Sequence, residues 1–111
     1  AIMADAPQYL LIVSAEIARE VEDAWNKWYD EEHLPEALAC PGVLAGNRYV
    51  SVSDASLTRD GGKSTSSARA YVAVYELCGP EALETPEFIE MRGWYQFTDK
   101  ITARTQVYKK L

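Results

Sequence analysis

One histidine and two cysteines are the whole supply of imidazole and thiol in this chain of 111 residues. A single histidine flanked by carboxylates on one helical turn lacks the ligand set that zinc or iron sites use, so no metal is expected. Cys40 and Cys78 stand in "ACPG" and "LCGP", at no metal-ligand spacing and in no activated setting. Two reduced thiols are expected there, in preference to a disulfide or a nucleophile.

Positive charge is also scarce. Eleven basic side chains against seventeen acidic ones leave a net charge of −6. Such a chain repels phosphate backbones, and the nearest thing to a basic patch is Lys109 and Lys110, so no nucleic-acid partner is expected. The same balance disfavours anionic membrane surfaces. Long apolar runs are missing too: Tyr9 to Val13 is too short for a spanning or export segment, and no basic stretch precedes it. The expectation is a cytoplasmic protein of one domain, and "AIMADAP" at the start is given no structural part.

What is present is periodicity. "QYLLIVS" (8–14) reads as a strand. From Glu16 to about Leu34 the apolar residues Ile17, Val21, Trp25, Trp28 and Tyr29 recur at spacings of three and four, the mark of a helix, which Pro35 should end or kink. "VLAGNRYVSVS" (43–53) is a second strand, and the polar, aperiodic stretch 54–68 is a mobile connection. "RAYVAVYEL" (69–77) alternates most clearly of all. Thr85 is the N-cap of a short second helix, with Pro86 first inside it and Gly93 just past its end. "ITARTQVYKK" (101–110) alternates again. The order β-α-β-β-α-β gives an α+β, ferredoxin-like domain with a four-stranded antiparallel sheet over residues 1–111. "GGKST" (61–65) is no phosphate-binding loop, because Leu57 stands where that pattern requires glycine and the segment joins two strands.

The stretch "WNKWYDEEHLPE" (25–36) concentrates the chemistry. At about 100° per residue, Val21, Trp28, Tyr29 and Glu32 fall within about 60° of Trp25, and His33 lies at about 80°. Asp23, Lys27, Asp30 and Glu31 point away and are solvated. Glu32 therefore sits on the stripe that should be buried, with His33 at its edge. The alternative is that the helix frays before Pro35, so that Glu32 faces water and His33 caps the last carbonyls. On the strands, Tyr71, Ala73 and Tyr75 share one face and Val72 and Val74 the other, while Asn47, Tyr49 and Ser51 oppose Val50 and Val52. A dry valine face for sheet-to-sheet contact and a partly polar tyrosine face under the helix follow, putting His33 near Tyr49, Tyr71 or Tyr75. "GWYQF" (93–97) either walls a pocket with Trp94 and Phe97 or covers a sheet edge.

The helix "WNKWYDEEHLPEALACPG", with its W-x-x-W-Y-x-x-x-H-x-P pattern and following P-G, resembles the dimeric α+β barrel superfamily, and within it the EthD-like small proteins. "YVAVYEL", "GPEALETPEF" and "RTQVY" follow in the same order, so the resemblance runs from Tyr9 to Tyr108. It implies a homodimer of two four-stranded sheets with a pocket in each subunit between sheet and helices. It also implies cofactor-free isomerase, cyclase, lyase or monooxygenase chemistry, in which His33 is the pocket acid or base.

The leading expectation is a homodimeric enzyme without metal or organic cofactor, acting on a small aromatic or cyclic oxygenated compound. His33 moves a proton, and Glu32 or a tyrosine, Tyr49 first, orients it or stabilises an enolate oxygen. Trp25, Trp28, Tyr29, Tyr71, Tyr75, Trp94 and Phe97 line the substrate pocket and exclude water. The competing expectations are a metabolite-binding or accessory dimer with no catalysis, and a structural dimer whose cavity is filled by its own side chains.

Overall fold

A computed structural model describes residues 6–111. The opening "AIMAD", most of the segment given no structural part, lies outside them. Four strands form one antiparallel sheet in the order β2-β5-β1-β6: β1 Tyr9–Ile17, β2 Val43–Val50, β5 Tyr71–Leu77 and β6 Ile101–Lys109. The two central strands, β1 and β5, are the most apolar, and β2 and β6 flank them, which is the ferredoxin-like arrangement. β1 runs three residues beyond the expected strand. Ala15 and Ile17 continue its alternation, and β6 supplies partners as far as the pair Ile17 and Ile101.

The first helix accordingly starts later. A 3-10 turn at Arg19–Val21 leads into α1, Glu22–Trp28, then a π turn at Tyr29–His33 and α2, Leu34–Leu38. The helix does not end at Pro35. In the widened turn the N–H of Leu34 reaches back five residues to the carbonyl of Tyr29. A proline that would press on the carbonyl four residues earlier in a regular helix is thereby accommodated. α3, Pro86–Met91, is capped as expected: Thr85 Oγ1 accepts from the N–H of Phe88 at 3.2 Å.

Residues 54–68 are not an aperiodic connection. They form a hairpin, β3 Ala55–Arg59 and β4 Gly62–Ser66, closed by Asp60 and Gly61 at φ 50° and 83°. Two central residues with positive φ make the turn whose twist suits a two-residue hairpin, and Asp-Gly is its usual sequence. All ten strand residues of this arm are exposed.

The core lies between the sheet and the helices. Leu11, Val13, Ala15, Ala73, Tyr75 and Leu77 face Trp25, Tyr29, Ala37, Phe88, Met91 and Phe97. Side chains of this size contribute about 1.5–3 kcal/mol each when fully buried. On the other face Leu10, Ile12, Val72 and Val74 are half-buried, and Tyr49 and Tyr108 are exposed. Among the described residues both cysteines are free, and no helix is long and apolar enough to cross a membrane.

Candidate functional site

The π turn sets the site. It holds one residue more than an α-helical turn, which delays the helix by roughly 100° of phase. His33 thus takes the inward direction that a regular helix gives to Glu32. His33 is buried at 6 % exposure, and Glu32 is exposed to solvent. The expected carboxylate on the apolar stripe is therefore not there.

The imidazole is enclosed by aromatic rings. It stacks on Trp28 at 4.5 Å between centroids, meets the edge of Tyr29 at 5.0 Å and lies 5.6 Å from Trp94. Phe97 packs on the other side of this group, 5.3 Å from Trp28. "GWYQF" therefore walls the aromatic cluster. Nδ1 of His33 has no hydrogen-bond partner among the described residues. Burial, and secondarily the cation of Arg48, lower its pKa to about 4, so the ring is neutral at pH 7.

Tyr29 and Tyr75 meet hydroxyl to hydroxyl at 2.6 Å. The ring of Tyr75 has room to lie across β2 because Gly46 is opposite: a Cβ there would come within 2.8 Å of its Cδ1. Burial raises both phenol pKa values, and Tyr75 is raised further by Tyr29. Both hydroxyls therefore keep their protons throughout the working range. One donates to the other, which leaves one O–H free for an acceptor. These two tyrosines line a cavity of about 150 Å³ together with Leu11, Val13, Ala37 and Met91. Trp25, Trp28, His33, Trp94 and Phe97 stand outside that lining. A larger, polar depression of about 710 Å³ lies at the base of the hairpin arm, away from the aromatic cluster.

Tyr49 is not on this face. Its partner on β5 is Val72, so it points to the valine side and is 57 % exposed. Alternation within a strand defines two faces without saying which matches which face of the neighbour, and β2 is polar on both. The same register turns Arg48 inward, opposite Ala73. Its guanidinium lies 4.2 Å from the ring centre of Tyr29 and 5.0 Å from that of Trp25. Arg48 donates to Asp30 at 2.6 Å and to Asn26 at 2.7 Å. Asn26 donates to the hydroxyl of Tyr71 at 3.0 Å, Tyr71 donates to Glu22, and Arg69 closes the row on Glu22 at 2.8 Å. Tyr71 thus belongs to a polar ladder beside the cavity, and is no part of the cavity lining. Sequence reasoning missed Arg48 and Asn26. The available signal was that Gly46, Arg48 and Val50 must share a face.

Among the described residues no group of three or more His, Cys, Asp and Glu side chains is placed to hold a metal. What the arrangement offers is a largely apolar cavity with a protonated phenol pair on its wall and a neutral imidazole behind one of the phenols.

No protein-family model matches the chain, and no curated protein matches it by sequence. Solved structures do match. HapK from Hahella chejuensis is 16 % identical with a TM-score of 0.61, over 93 % of this chain and 92 % of that one. An EthD family protein from Bacillus halodurans is 15 % identical with a TM-score of 0.57, over 93 % and 99 %. SnoaB from Streptomyces nogalater, a cofactor-independent oxygenase, is 11 % identical with a TM-score of 0.53, over 93 % of each chain. At these identities the likeness is one of fold. The chain has the ferredoxin-like α+β fold of the antibiotic biosynthesis monooxygenase and EthD proteins, the fold on which dimeric α+β barrels are built.

Proposed function

We propose that the protein is a cytoplasmic homodimeric enzyme, free of metal and organic cofactor, that performs acid-base chemistry on a small aromatic or cyclic oxygenated compound. The observation that carries this reading is the Tyr29–Tyr75 hydroxyl pair, 2.6 Å apart, on the wall of an otherwise largely apolar cavity. The free O–H of the pair donates to a carbonyl or enolate oxygen of the substrate, and its strength grows as negative charge develops there. His33 does not itself line the cavity; neutral and with Nδ1 unpartnered among the described residues, it receives the substrate's proton across Tyr29, whose ring it meets at 5.0 Å. Trp28, Tyr29 and Trp94 hold the imidazole and exclude water. Glu32 and Tyr49 take no part. The two free thiols suit a reducing compartment.

Two variants test the two roles separately. His33→Ala should lower turnover by about 10²- to 10⁴-fold. Tyr75→Phe should lower it by about 10²- to 10³-fold through loss of a donor to the developing charge. Unchanged turnover in either variant removes that residue from the mechanism. A second reading, an oxygenase without cofactor, draws on the likeness to SnoaB. The same deprotonated substrate would then reduce dioxygen, and oxygen uptake matched to product separates the two readings.

A further inference from the structure

The cavity that carries the proposed chemistry has a second end. From Tyr29 and Tyr75 its lining runs past Leu83, Phe88 and Met91 to Arg92 and Thr105, both exposed. Thr105 pairs with Val13 on β6, and Arg92 is the residue at which α3 stops, so the mouth lies between the end of α3 and the edge of the sheet. Arg92 is the one charged residue in the lining. The ion pairs among the described residues engage Arg48, Arg69 and Lys100, and leave Arg92 without a carboxylate.

Four properties of the space then define what fits. A volume of about 150 Å³ houses one benzene-sized ring. The apolar middle suits the ring, the phenol pair suits an oxygen at the inner end, and the guanidinium suits a planar anion at the outer end. We infer that the cavity takes a single-ring carboxylic acid bearing a second oxygen, with its carboxylate on Arg92 and that oxygen on Tyr29 and Tyr75. This rests on the proposed function of the same cavity and narrows its substrate class. Arg92 is then a specificity-determining residue, and Thr105 supplies a hydroxyl beside the carboxylate.

The test is calorimetric titration of the intact protein at pH 7 with phenol, benzoate, 4-hydroxybenzoate and 2-naphthoate, repeated with Arg92→Gln and Tyr75→Phe. 4-Hydroxybenzoate should bind at least about tenfold more tightly than phenol, as a charge-assisted bond implies. Arg92→Gln should abolish that margin, Tyr75→Phe should reduce 4-hydroxybenzoate to the affinity of benzoate, and 2-naphthoate should bind worst. Arg92 is exposed, so its variant should keep the wild-type melting temperature. Equal binding of phenol and 4-hydroxybenzoate, an unaltered margin in Arg92→Gln, or no binding of any of the four overturns the inference. Binding of the acids with no turnover of any ring compound defeats the enzymatic reading and leaves this one standing. Turnover of neutral rings that is indifferent to Arg92→Gln does the reverse.

Discussion

His33 is neutral because it is buried, and that neutrality has a thermodynamic cost in acid. Its pKa is about 4 in the folded chain against about 6.5 when unfolded. Between those two values the unfolded state binds the extra proton, so stability is full above pH 6.5 and falls as pH drops toward 4. The whole loss is about 3 kcal/mol. As the chain has one histidine, the decline between pH 6.5 and 5 belongs to it before the carboxylates titrate. Denaturant melts across that range should show the slope in the wild type and not in His33→Phe. An equal slope in the variant would mean that the imidazole is not desolvated. His33 could be singled out from the sequence because it is unique and adjoins an aromatic stripe. Glu32 could not be dismissed there, because its direction depends on the width of the turn before it.

At the scale of elements, the π turn and Pro35 explain each other. Deleting Glu31 would restore a regular helix with His33 still inward, and would press the proline ring against the carbonyl four residues earlier. The expected result is a destabilisation of about 3 kcal/mol. Pro35→Ala in the deleted background should recover most of it, as read by chemical denaturation. No recovery would show that the wide turn serves something other than the proline. Elements that announce themselves locally were legible, such as α3 with Thr85, Pro86 and Gly93, and β5 with its unbroken alternation. The hairpin arm was missed, although Asp60 and Gly61 are a two-residue turn signal between strands of equal length. A polar composition hid it. The facing of β2 was not legible, since register comes from hydrogen bonding to β5 and not from β2 itself. Tyr49 was therefore placed inside, the reverse of its position, and the inward Arg48 was not singled out.

At the scale of the whole molecule, the sheet is covered on one side. Leu10, Ile12, Val72 and Val74 form an apolar centre on the open face, with Tyr49 and Tyr108 near its edges. If two copies meet there, as proposed, sedimentation should give about twice the mass of one chain. Val74→Lys puts an unpaired charge at the middle of that contact and should return a monomer. A wild-type monomer, or a Val74→Lys dimer, would place the interface elsewhere. The fold class was readable because the order of elements fixes the topology almost alone. The cavity was not, because it is shaped by α2, α3 and the phenol pair, which come from distant parts of the chain.

The extra residue between Tyr29 and His33 also bears on how this chain should be aligned with others. His33 follows Trp25 by eight positions and still shares its direction. In an unbroken helix two turns span about seven residues. A chain of this fold with a plain helix would therefore carry the counterpart of His33 seven positions after that of Trp25. A gap-free alignment through the helix would set Glu32 against that counterpart and report the imidazole as missing.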